Sequence, residues 1–162
     1  SPERAGMGAE ALLHAAVINN ARWCDAVCRS HGYPGEFTGR LWISAGHTLP
    51  YYPNAITLSP DVTAAEATAS QDLSRPFAIK DSFARLDLAP RGLTPLFDAT
   101  WIAVSNVFKS GIADGPLWAG AVRAVARVRR GLPIVGYERG EDLAEARQAG
   151  FTVLGPLRVW AR

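Results

Sequence analysis

The stretch LPIVGYERGEDLAEARQAGFTVLGPLRVWAR, residues 132–162, passes through three kinds of local order. Pro133 to Val135 opens a short apolar run that ends in Gly136-Tyr137-Glu138. EDLAEARQAG follows, with Leu143, Ala146 and Ala149 recurring at three-residue steps on one helical face. Gly150 suits the left-handed backbone that stops a helix, and Arg147 puts a cation in the last turn, where the helix dipole favours one. Phe151 to Trp160 then resumes as an apolar strand, expected to break at Gly155-Pro156. The stretch predicts strand, helix, strand, and an α/β (α+β) fold class.

Read outward from there, the pattern recurs. Pro76 aligns with Pro133, Asp87-Leu-Ala with Asp142-Leu-Ala, Gly92-Leu-Thr with Gly150-Phe-Thr, and Trp101 with Trp160. Upstream, a strand at Ala55–Leu58 and a helix at Pro60–Leu73 correspond to Val104–Phe108 and Pro116–Arg130. Two similar β-α-β-α-β units are therefore expected at 54–103 and 104–162, the alternative being a chance likeness between two α/β segments. Trp101 to Val104 joins them without a linker, so one compact body is expected. The domain division is 1–8 as a tag remnant or frayed end, 9–103 as the N-terminal unit and 104–162 as the C-terminal unit.

A strand ending in Tyr137, a helix containing Ala146, then Gly150-Phe151, Leu154-Gly155 and a long terminal strand resembles the C-terminal half of a GNAT-type N-acetyltransferase domain. The resemblance covers roughly 104–162 and implies a mixed sheet flanked by helices. It makes Val104–Phe108 the bulged central strand and Pro116–Arg130 the long helix after it. It further implies a gap between the strand before the long helix and the strand after it, in which cofactor and substrate lie. Cofactor contacts would then come from Ser105, Asn106, Lys109, Gly111 and Gly115. Such enzymes bind a coenzyme A pyrophosphate on bare backbone N–H groups at the helix start. Here Gly111 and Gly115 stand at a different spacing, no Gln or Arg leads the loop, and Asp114 brings a negative charge. The cofactor is left open: the loop disfavours acetyl-CoA or another acyl-CoA.

Composition narrows the function classes. At 162 residues and 48% hydrophobic content the chain fills a core without disulfides. A net charge of +2, with Arg127, Arg129 and Arg130 as its one basic cluster, argues against nucleic acid. No apolar run reaches membrane-span length and no cleavable leader is apparent, so a soluble cytoplasmic protein with no membrane partner is expected. Residues 9–31 read as an amphipathic helix stopped by Gly32 that packs on the sheet. Cys24 and Cys28, four apart on its apolar face, read as small buried apolar groups, and no metal site is expected.

Strands at Arg40–Ala45 and Asn54–Leu58 flank a loop that gathers His47, Tyr51 and Tyr52 between prolines, either a pocket wall or a solvated sheet edge. Ser59-Pro60 starts a helix near residue 60, and Thr63-Ala-Ala-Glu66 offers a capping-box start one turn later. Phe77–Lys80 forms a strand, and Lys80-Asp81-Ser82 occupies the place of Tyr137-Glu138-Arg139. No nucleophile elbow, zinc helix, Walker loop or dinucleotide fingerprint is present. The catalytic candidates are therefore positional: Tyr137, Glu138, Lys80 and Asp81 at the two strand ends, with His47 as a mobile acid or base. Each has a structural alternative: Asp81 capping a turn, Glu138 paired with an arginine, Tyr137 as core. Trp42, Tyr51, Tyr52 and Trp101 would line the substrate site. Two functions are expected: a GNAT-like small-molecule enzyme, acting as an atypical acyltransferase or in proton-transfer chemistry, or a non-catalytic ligand- or partner-binding module. Homodimerisation through the late strands is implied by the resemblance.

Overall fold

The computed structural model describes residues 8–44, 46, 48–104 and 132–162. His47, Ser105, Asn106, Lys109, Gly111, Gly115, residues 105–108 of the expected central strand and the expected helix at 116–130 lie outside the described residues.

Helix α1 runs from Ala9 to Ser30 and ends as the sequence predicts. Gly32 adopts φ 82°, and the N–H groups of Gly32 and Tyr33 bond the carbonyls of Arg29 and Cys28, covering acceptors that the last turn leaves open. Seven strands follow among the described residues: β1 (Glu36–Phe37), β2 (Leu41–Ile43), β3 (Ala55–Thr57), β4 (Ala78–Asp81), β5 (Thr94–Val104), β6 (Ile134–Glu138) and β7 (Thr152–Ala161). They form one sheet in the order β1-β2-β3-β4-β7-β5-β6. β3 and β4 are parallel, whereas β1/β2, β2/β3, β4/β7 and β5/β6 are antiparallel, so the fold is mixed α+β. The other helices are α2 (Ala64–Thr68) and α3 (Gly140–Gln148), with a single 3₁₀ turn at Ala89–Arg91.

Three local expectations are corrected. The second helix starts at Ala64 and not near residue 60. Ser59 Oγ accepts from the Asp61 N–H and closes a turn, whereas Thr63 accepts from the Glu66 N–H at 3.2 Å and makes the real N-cap. The terminal strand runs unbroken through Gly155-Pro156, with Gly155 at φ 154°. Residues 82–93, expected to repeat the helix now seen as α3, contain turns and the 3₁₀ segment only. There the Asp81 carboxylate accepts from the Arg85 and Leu86 N–H groups, drawing the backbone into a turn with Ala84 at φ 50°.

The chain divides into two compact bodies. The larger comprises Val17–Ala99 and Pro156–Arg162. Strand alternation sorts its side chains onto two faces. Ala55, Ile79 and Trp160 pair across β3, β4 and β7 and join Leu41, Val62, Ala67, Phe77, Leu88 and Leu93 in a buried cluster that includes α2. On the other face lie Trp42, Ile56, Lys80 and Val159, partners in the same registers. The part of α1 in this body covers that face: Val17, Ala21, Cys24 and Cys28 are buried at helical spacing, and Asn20 and Asp25 bond Lys80 and Trp42. Both cysteines are free thiols whose burial raises their pKa.

The smaller body draws its described residues from 1–16 and 100–155. Here α3 packs Leu143, Ala146 and Ala149 onto Ile102, Val104, Ile134 and Phe151. Phe151 N–H bonds the Ala146 carbonyl and Gly150, at φ 99°, bonds that of Arg147, the same closure that ends α1.

Candidate functional site

The loop between β2 and β3 forms one wall of a cleft of about 550 Å³ in the larger body. Thr48, Leu49, Pro50, Tyr51 and Tyr52 make this wall, Asn54, Phe77 and Ala78 lie at the strand ends, and Gln71, Asp72, Arg75 and Arg162 add polar groups. Side-chain amides hold the walls together. Asn54 Nδ2 donates to the Gly46 carbonyl at 3.2 Å, and its Oδ1 accepts from the Ala78 N–H at 3.2 Å. Gln71 Nε2 donates to the Ser44 carbonyl at 3.4 Å, and Thr48 Oγ1 to the Tyr52 carbonyl at 3.1 Å. The other lining side chains include aromatic and charged groups. Asp72 takes the Ser74 hydroxyl and N–H at 2.6 and 2.9 Å, and these bonds lower its pKa and keep it ionised.

The strand-end candidates fall elsewhere. Lys80 and Asp81 are neighbours in β4, so their side chains leave opposite faces of the sheet and do not converge on one substrate. Lys80, 3% exposed, donates from Nζ to Asn20 Oδ1 at 2.7 Å under α1. Asp81, 1% exposed, accepts from two backbone N–H groups and from Trp160 Nε1 at 3.5 Å. The space expected between β3 and β4 is bridged by Thr57, whose Oγ1 accepts from the Ser82 N–H at 2.8 Å. Trp42 is wholly buried, its Nε1 donating to Asp25 Oδ1 at 3.0 Å, and Gly35 lies flat against the indole where a Cβ would collide. Trp42 is thus core and not a ligand surface.

In the smaller body Trp101 and Tyr137 meet edge to face, with centroids 5.2 Å apart and planes at 83°. Glu138 points to the other side of β6, towards α3, and is exposed. Partial burial raises its pKa, and the charge of Asp142 in the first turn of α3 adds to the rise. Among the described residues no three His, Cys, Asp or Glu side chains gather as a metal site, and no helix is long and apolar enough to cross a membrane.

Of the candidates read from sequence, Tyr51 and Tyr52 share one cleft, whereas Lys80, Asp81, Tyr137 and Glu138 occupy four separate environments. Asn54, Gln71, Arg75, Phe77 and Arg162 line the cleft without any periodicity or motif to announce them. No family model, curated protein or solved structure matches the chain.

Proposed function

We propose that this chain is a GNAT-like small-molecule protein whose ligand occupies the cleft beside the Thr48–Tyr52 loop. The observation that carries the reading is the cleft itself: about 550 Å³ falls within the range of metabolite-sized sites, and its lining mixes aromatic surface with a few charged groups. The GNAT-like part is supported by the β6–α3–β7 succession, which lies in the segment that carries the sequence resemblance.

Within this reading proton-transfer chemistry stands ahead of acyl transfer, since the Asp114-bearing loop is a poor match to a pyrophosphate cradle. A cytoplasmic setting and a homodimer belong to the same proposal.

Native mass spectrometry with and without acetyl-CoA tests it. No adduct at millimolar ligand is the expected result; it leaves cofactor-free chemistry or simple binding. A one-to-one adduct that survives moderate salt would overturn that order and put acyl transfer first. The same spectra give the oligomeric state.

A further inference from the structure

We propose that Tyr51 is a ligand-contact residue and that the ligand it selects is a small planar aromatic molecule; this rests on the cleft reading above. Tyr51 is third in the turn Leu49-Pro50-Tyr51-Tyr52, which closes through a Tyr52 N–H to Leu49 carbonyl bond of 3.1 Å. Its φ is 70°. Proline second and a left-handed residue third is the arrangement of a type II turn, where glycine or asparagine sits with least strain. A tyrosine there strains the backbone, and the turn does not need its side chain: the closing bonds come from Tyr52 and Thr48.

The ring gains nothing from the fold. Tyr51 is 105% exposed, and among the described residues its hydroxyl has no hydrogen-bond partner and its ring no aromatic partner. A large aromatic surface left in water on an unfavourable backbone is a local conflict of the kind found where a site, and not the fold, sets the residue. Beside it lies the cleft, whose lining also includes Tyr52 and Phe77. Pro50 and Pro53 flank the two tyrosines and narrow the backbone's choices, so little ordering is lost when a ligand arrives. Aromatic rings meet flat partners through offset stacking or edge-to-face contact, which a puckered ring of the same size does not reproduce.

Ligand-observed NMR on the full chain with benzoate and cyclohexanecarboxylate tests this, the two probes being matched in charge and carbon number so that planarity is isolated. The expected result is about fivefold tighter binding of benzoate to the wild type. Tyr51→Gly should lose about fivefold in benzoate affinity while its Tm stays at or above the wild-type value, and Tyr51→Phe should bind as the wild type does. Equal binding of both probes, or a Tyr51→Gly variant that binds benzoate unchanged, overturns the assignment of Tyr51 and leaves the cleft reading in place. A Tyr51→Gly variant that melts well below the wild type also overturns it, since the ring would then serve the fold. Binding of neither probe removes the Tyr51 assignment and the cleft reading together.

Discussion

Lys80-Asp81 closes β4 and Tyr137-Glu138 closes β6, yet their surroundings differ. Lys80 and Asp81 are 3% and 1% exposed and bonded into the framework, whereas Glu138 stands largely in solvent with its pKa raised. Both ends alternate sides as strands must, so neither dipeptide presents its two side chains to one substrate. What separates the two is what covers each face. In the larger body α1 lies over Lys80 and the Trp160 indole over Asp81. In the smaller body α3 leaves Glu138 at its first turn, where burial is partial. A polar pair at a strand end is thus a structural lock in one place and a titratable surface group in the other.

The comparison breaks most readily at Asp81. Asp81→Ala strands two backbone donors and the Trp160 indole N–H in a buried site and is expected to cost about 3–5 kcal/mol, read as a fall in the urea midpoint. An activity loss with unchanged stability would instead make Asp81 a working carboxylate. Lys80→Met keeps the side-chain volume but leaves Asn20 Oδ1 without this donor, so a loss of about 1–3 kcal/mol is expected with any activity retained. Selective loss of activity would return Lys80 to the candidate list.

On the other side of the comparison the effects shrink. Tyr137→Leu removes the edge-to-face contact with Trp101 and should cost about 1 kcal/mol by thermal unfolding. Glu138→Gln gives the smallest change and the most specific signature. Because the folded-state pKa of Glu138 is raised, the native state binds its proton more tightly than the unfolded chain does. The wild type therefore loses stability as pH rises through the interval from the unfolded pKa to the raised folded one, and regains it on acidification. Glu138→Gln should remove that slope and stabilise the protein near neutral pH by roughly 0.3 kcal/mol, a figure discounted for solvent screening. Parallel stability–pH curves for the two proteins would show that Glu138 carries no such linkage.

Much of the architecture was legible from residues alone. The proline-free run of α1 with Gly32 after it, and Leu143-Ala146-Ala149 followed by Gly150, carry their own periodicity and stops, and both helices end where those glycines stand. Cys24 and Cys28 were legible as buried apolar groups because they share a helical face with Leu13 and Val17. The supposed helix at 82–93 misled because Asp87-Leu-Ala matches Asp142-Leu-Ala in letters. The outcome there is set by a carboxylate six residues earlier that captures the Arg85 and Leu86 N–H groups. Half of the cleft was visible as a proline-bounded aromatic loop; the other half, Gln71 to Ala78 and Arg162, comes from chain segments with no pattern in common.

By itself, then, the sequence determined the mixed α+β class, the helices that close on Gly32 and Gly150, and a rigid loop bearing Tyr51 and Tyr52, because periodicity and turn chemistry act over a few neighbouring residues. Only the tertiary structure decided that Lys80 and Asp81 are locked on opposite faces, that Trp42 is core, and that the aromatic loop meets Gln71 and Arg75 across a cleft. Those outcomes depend on which distant segment covers each face. That choice is made by long-range burial and strand register, which no local window of residues contains.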